Sequence, residues 1–204
     1  MSSSNEGLTD GITFSEHQRM CDAATCDRDR TFFRVLWLTA SRLSEAIAIQ
    51  EQQISEELNE IKPRNLKRPV QPDGSETITL KPLSLKPSEI KEILDYCKRN
   101  NIRGSAYLFA GRKYGSHITD RRARTIFYNA ARAAGVERVS LHTGRMGPAW
   151  PHCSRHGIAT HMLRQGVGIH IVQKRLGHSQ IANTLRYLEI VTSDQARALE
   201  TVEM

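Results

Sequence analysis

The chain has 204 residues, of which 39% are hydrophobic and 25% charged; this is enough for one hydrophobic core and excludes collagen-like, low-complexity and wholly disordered classes. Lys and Arg outnumber Asp and Glu by 29 to 22, a net charge of +7, and no run approaches the roughly eighteen apolar residues that span a bilayer. The start lacks the apolar core of a signal peptide, so a cytoplasmic protein is expected, with Cys21, Cys26, Cys97 and Cys153 as plain thiols.

Residues 1–12 are small and polar and are expected to be disordered. Thr13-Phe14-Ser15-Glu16 has the capping-box pattern and predicts a helix to about Ala24. A second helix is expected from about Arg28, too densely apolar at Phe32, Phe33, Val35, Leu36 and Leu38 for a surface element, and a short third one over Leu43–Ile49. Between Gln53 and Leu85 the helical periodicity gives way to prolines and an alternating Thr77-Ile78-Thr79-Leu80, which predicts a small strand region turning at Pro72-Asp73-Gly74. Pro87 opens a helix with Ile90, Ile93, Leu94 and Cys97 on one face, and Tyr107-Leu108-Phe109 reads as a short buried segment. Thr119 caps a helix with the stripe Ala123, Ile126, Phe127, Ala130 and Ala134, stopped by Gly135. Residues 136–150 are expected to be a loop. Three helices follow: His152–Gln165, Ile169–Leu176 and Ser179 to about Ile190. The order predicts a mainly helical α+β domain with a small antiparallel sheet.

The charge is uneven. Nine basic residues face two acidic ones between Arg103 and Arg145, which points to a polyanion, with nucleic acid ahead of membrane. In the helix from His152, the helical projection sets His152 and Arg155 on the apolar stripe of Ala159, Met162 and Leu163, so both are expected to face inward. An inward arginine needs either an anion or a core carboxylate, and the helix start supplies free N–H groups beside it. Gly177-His178-Ser179 sets a second histidine at the mouth of the last helix, with Ser179 as its cap. The helices around Gly177 could also form a helix-turn-helix, the mark of a DNA-binding regulator without catalysis. His152, His156 and His161 with Cys153 lack the spacing of a zinc site.

Pro151-His152-Cys153-Ser154-Arg155-His156 resembles the His-x-x-Arg-His helix of tyrosine recombinases, the phage-integrase family. Leu176-Gly177-His178, followed nine residues later by Tyr187, is similar to that family's Leu-Gly-His segment and nucleophile, and Thr39-Ala40-Ser41-Arg42-Leu43-Ser44-Glu45 to its Thr-Gly-x-Arg-x-Ser-Glu segment. The resemblance covers roughly residues 13–192, with 193–204 as a tail. It implies a site-specific DNA recombinase that cuts and rejoins DNA through a 3′-phosphotyrosine. Arg42 and Arg155 would clamp the scissile phosphate, His152 would handle the phenol proton, His178 would contact a non-bridging oxygen, and Tyr187 would attack. Glu45 would support Arg42. The general-acid lysine falls within Ile61–Leu83, where Lys62, Lys67 and Lys81 are candidates; Lys67 is preferred because it precedes the turn, whereas Lys81 is expected at the far end of the following strand. The resemblance implies no metal or nucleotide cofactor. It implies double-stranded DNA as partner, touched through Arg112, Lys113, Arg121, Arg122 and Arg124, and assembly on DNA into a synaptic tetramer. A telomere resolvase or type IB topoisomerase would share the chemistry.

Overall fold

The computed structural model describes residues 11–65, 79–139 and 145–200. Helix α1 (Phe14–Asp22) starts as its capping box predicts: the Thr13 N–H donates to the Glu16 carboxylate at 2.7 Å, and the Glu16 N–H donates to the Thr13 hydroxyl at 3.2 Å. Helix α2 (Asp27–Thr39) is buried on almost every side, through Phe32, Phe33, Val35, Leu36, Trp37 and Leu38, because neighbours cover it all round. Helices α1, α3 (Leu43–Ile47), α4 (Pro87–Arg99) and α6 (Pro151–Arg164) all pack against it. α2 ends at Ala40, which has the left-handed φ of 50° where most helices place glycine.

The small sheet follows. Strands β1 (Ile54–Ser55), β2 (Glu60–Ile61) and β5 (Leu83–Ser84) form an antiparallel sheet in the order β1-β2-β5. Strands β3 (Arg64–Asn65) and β4 (Thr79–Leu80) form an antiparallel pair beside it. Lys67, the turn at Pro72–Gly74 and Thr77-Ile78 lie outside the described residues, as do residues 1–10 and 201–204. Helix α5 (Asp120–Ala133) is capped by the Thr119 hydroxyl and followed by Gly135 at φ +62°, as expected.

Three expectations change. The stretch 136–150 contains an antiparallel hairpin, β6 (Glu137–Val139) and β7 (Met146–Pro148), whose strands are exposed or half-buried and so carry no hydrophobic alternation to read. Helix α7 (Ile169–Leu176) ends at Gly177 as anticipated, but α8 (Ala182–Glu200) begins three residues after Ser179. The first N–H groups of that helix go to main-chain carbonyls, Asn183 to Gln180 O and Thr184 and Leu185 to Ile181 O. α8 also runs past Ile190 without a break, since no glycine or proline follows Tyr187 to stop it.

Residues 11 and 12 form a packed strap instead of a disordered start. The Ile12 N–H donates to Cys153 O at 3.0 Å, and the Ile12 side chain is buried. Arg138 ties the strap from the other side, donating to Gly11 O at 2.8 Å and to Glu16 at 2.5 Å. The strap crosses α6 at Gly157, where a Cβ would sit 2.1 Å from Ile12 O. Gly157→Ala should therefore cost about 1–3 kcal/mol, the usual range for overpacking, read as a lower urea midpoint at unchanged slope. An unchanged midpoint would mean that the strap does not sit on α6 in solution.

Candidate active site

α6 carries the centre of the site. Arg155 is 2% exposed, and its guanidinium donates to Ala40 O at 2.6 Å and to Leu176 O at 2.5 Å. These are carbonyls at the C-terminal ends of α2 and α7, which have no partner within their own helices and stand at the negative end of the dipole. The inward arginine is thus held by helix ends, the alternative of a carboxylate partner being unused among the described residues. Burial and the charge of Arg42 pull it down to about 10, against the opposing pull of Glu45 and Tyr187, so it stays a cation at neutral pH.

Arg42 lies at the start of α3, half-buried, and Glu45 fastens it twice. The buried Glu45 carboxylate accepts from the Arg42 main-chain N–H at 2.9 Å and from its Nη1 at 2.8 Å. The left-handed turn at Ala40 points one carbonyl at Arg155 and delivers Arg42 two residues later.

Lys81 is in the site. It follows β4, with its N–H donating to Pro63 O at 3.0 Å, and its side chain lies over Gly177, whose Cβ position is 3.6 Å from Lys81 Nζ. Nζ is fully buried and has no hydrogen-bond partner among the described residues. Burial first, then the charges of Arg155, Arg175 and Arg42, pull this lysine down to about 7, with Glu45 opposing. Lys81 directly follows β4, at the end of that strand as expected, and its side chain reaches the α7–α8 junction.

The two histidines of the motif are placed differently from expectation. His152, in the first turn of α6, is exposed, since its side chain stands at the open end of the helix. His156, one turn on, is 7% exposed and meets the His152 ring edge-on at 4.4 Å. Its Nδ1 lies 2.6 Å from the Tyr187 hydroxyl. His178 is half-buried; its Nδ1 is 3.0 Å from the Thr184 hydroxyl, and burial with Arg155, Arg42, Lys81 and Arg186 lowers it to about 4.

Tyr187, on α8, is 2% exposed. The Arg186 guanidinium carbon stands 5.2 Å from its ring centroid, and Arg186 Nη2 is 3.5 Å from His156 Nδ1. Sequence reasoning passed over His156 and Arg186, though each had a signal: His156 is one helical turn from His152 on the same face, and Arg186 precedes the tyrosine. The site therefore gathers Arg42, Glu45, Lys81, Arg155, His156, His178, Arg186 and Tyr187 from five elements.

The basic residues of the expected DNA surface lie elsewhere, on α5 and the loop before it. Arg112, Lys113, Arg121, Arg122 and Arg124 are all exposed. Arg112, Lys113 and Arg122 join Arg28 around a depression of about 860 Å³. Arg138, counted in the same basic stretch, is engaged by Glu16 and the strap. His161 stacks on Phe14 at 5.3 Å, away from His156.

Residues 11–193 match the profile of the phage integrase family. The tyrosine recombinase XerC of Staphylococcus saprophyticus is 31% identical over 177 residues, which are 86% of this chain and 53% of that protein. XerD of Corynebacterium glutamicum is 27% identical over 172 residues, 83% of this chain and 50% of that one, so the chain spans about half the length of these relatives. Among solved structures, XerA recombinase superposes with a TM-score of 0.68 at 19% identity, over 97% of this chain and 67% of that chain. The catalytic domain of bacteriophage HP1 integrase superposes with a TM-score of 0.59 at 19% identity, over 96% of this chain and 95% of that domain. XerH bound to its palindromic difH substrate, in a post-cleavage complex, gives 0.70 at 16% identity, over 98% of this chain and 55% of that one. At such identities the structural likeness establishes the fold, while the family rests on the match over residues 11–193. The chain belongs to the phage integrase family, the tyrosine recombinases, and carries the fold of their catalytic domain.

Proposed function

We propose that this protein is a site-specific DNA strand transferase that cuts and rejoins double-stranded DNA through a covalent 3′-phosphotyrosine. The observation that carries this reading is the convergence of Arg42, Arg155 and Lys81, each within reach of the others' charge, with the buried Tyr187 acting on Arg155. Transesterification at a phosphodiester gathers negative charge on the phosphorus oxygens, and fixed guanidinium groups stabilise that charge without a metal. Tyr187 attacks phosphorus, so the bond energy is kept in the phosphotyrosine and religation is the same reaction run backwards on a new strand end. Arg42 and Arg155 bind the non-bridging oxygens, and His178 shares one of them. Glu45 positions Arg42. XerH, a structural relative, is bound to its DNA substrate, and the exposed cations of α5 are suited to phosphate contacts here. Exchange between two duplexes at paired half-sites calls for four copies, assembled on DNA.

The departing 5′-oxygen needs a proton, and Lys81 is the group we assign to supply it. A lysine near 7 is half-protonated at neutral pH and gives up its proton far more readily than an ordinary one. Lys62 is engaged by Glu60 at 3.3 Å. Lys67 remains the alternative.

Tyr187→Phe should bind DNA as the wild type does and form no protein–DNA adduct on a nicked duplex, scored on a denaturing gel. An adduct that persists would move the nucleophile to Tyr114 or Tyr128. A wild-type protein that binds DNA and never forms the adduct would instead favour the non-catalytic regulator. Adduct formation should be unchanged by EDTA; loss with chelator and return with magnesium would overturn the metal-free mechanism.

Lys81→Met should slow cleavage of ordinary DNA by about 10²–10⁴-fold, the scale of general acid catalysis, and recover on a duplex with sulfur at the bridging 5′ position, since a thiolate leaves without a proton. Rescue in Lys67→Ala, and not in Lys81→Met, would transfer the role to Lys67.

The same substitution should change stability in a defined direction. The unfolded lysine titrates near 10.5 and the folded one near 7, so between these values the unfolded chain holds the extra proton and stability rises with pH. Lys81→Met should remove that rise and lift the melting temperature at pH 7 more than at pH 10. Equal shifts at both pH values would contradict the buried, depressed lysine.

A further inference from the structure

The contact between His156 and Tyr187 has no role in the mechanism above. His152, which opens the α6 motif, was the expected handler of the phenol proton; His156, one turn on, touches the tyrosine. Its Nδ1 is 2.6 Å from the hydroxyl, with both groups buried. A third group bears on the direction of this hydrogen bond. Arg186 Nη2 also approaches Nδ1, at 3.5 Å, and a guanidinium can only donate. A lone pair on Nδ1, with the tyrosine donating to it, suits both neighbours.

We propose that His156 receives the phenol proton as Tyr187 attacks, and that a phosphodiester seated among the arginines is what readies it to do so. This rests on the strand-transfer reading. In the forward step the Tyr187 oxygen–phosphorus bond forms, the phosphorus–5′-oxygen bond breaks, the phenol proton passes to His156 Nδ1, and Lys81 gives its proton to the 5′-oxygen. Religation returns both protons. His152, exposed and edge-on to His156, stands between the new imidazolium and solvent.

The charges around His156 explain the dependence on substrate. Facing it are His152 and Arg155 from α6, Arg186 and Tyr187 from α8, and His178 from the turn between α7 and α8. Burial lowers its basicity most, and His152, Arg186, Arg155 and His178 lower it further, to about 3 in the DNA-free protein. At that value the imidazole leaves the phenol protonated. A phosphate anion bound by Arg155 and its neighbours offsets the cationic share of that depression and raises the basicity of His156 where and when the tyrosine must attack. The nucleophile is thereby kept neutral until a phosphodiester is in place.

His156→Gln separates proton transfer from contact, because the glutamine oxygen can accept the phenol hydrogen bond but cannot take the proton. Single-turnover cleavage of a nicked duplex that the wild type cleaves should fall by about 10²–10⁴-fold at pH 7. On a duplex with sulfur at the bridging 5′ position, which needs no proton from Lys81, the variant's rate should then rise about tenfold per pH unit toward the phenol's own ionisation near 10, while the wild type stays flat over that range. Wild-type rates in His156→Gln, or a loss equal at every pH, would overturn the proposal, the second outcome marking a packing role. Should the variant not fold, nitrogen NMR of the wild-type protein decides. Nδ1 of His156 should be unprotonated and should shift in Tyr187→Phe, whereas a proton on Nδ1 would overturn the proposal. Failure of the wild type itself to form the adduct would count against strand transfer, a result distinct from either of these.

Discussion

The structure turns on one buried guanidinium. Arg155 holds the carbonyl ends of α2 and α7 with two hydrogen bonds, so a single side chain fixes three helices at one point. Charge-assisted bonds of this kind are worth more than neutral ones, and removing the arginine would leave two inward-facing carbonyls without a donor. Everything else in the site is placed relative to that clamp. Ala40 leads to Arg42, Leu176 leads through Gly177 to His178, and α6 itself carries His156 to the tyrosine of α8.

The consequence is a concentration of positive charge without matching negative charge. Glu45 is the carboxylate that enters the pocket, and it is committed to Arg42. Burial and mutual repulsion accordingly lower Lys81, Arg155, His156 and His178 together. Depressed basicity in all four is the signature of a site that is electrostatically incomplete, and an anion is the species that completes it. The phosphodiester of the proposed reaction would meet that need with one charge shared over two free oxygens, a geometry that two guanidinium forks can grip.

Much of this was legible in the sequence because local chemistry specifies it. The Thr13–Glu16 capping box, Pro87, Thr119 and the glycines at 135 and 177 marked helix ends through backbone needs that no distant contact alters. Arg155 was readable as inward from its place on the apolar stripe. Lys81 was not: its position depends on how the sheet packs against the α7–α8 junction, and a lysine in a polar, proline-rich stretch carries no periodic signal. The projection set His152 inward with Arg155, yet His152 is exposed, while His156, one turn on, is buried against Tyr187 of α8, a packing that periodicity within α6 alone does not encode. The hairpin at 137–148 was hidden because its strands are too exposed to alternate. The strap at residues 11 and 12 depends on Gly157, whose missing side chain matters only once another backbone arrives.

Local rules give way beside the site. Among the described residues the buried side-chain polar atoms without a partner are Ser41 Oγ and Lys81 Nζ, one beside Arg42 and the other over Gly177. Ala40, with its left-handed backbone, is the next residue along, at a cost of roughly 1–2 kcal/mol for a residue that has a Cβ. Each feature destabilises the free protein, and each is held by the core built around α2, whose side chains from Phe32 to Leu38 are almost wholly buried. A fold that kept these features for packing alone would gain by losing them, since apolar replacements fill the same space without desolvating a charge. What they share is a neighbourhood: the Lys81 amine and the Arg42 and Arg155 guanidinium groups act on one another's charge, and Tyr187 acts on that of Arg155. In the proposed strand transfer, strain at Ala40 and desolvation at Lys81 are the local expense of holding donors in place before the phosphate arrives, so that little reorganisation would remain to be done when charge develops on it.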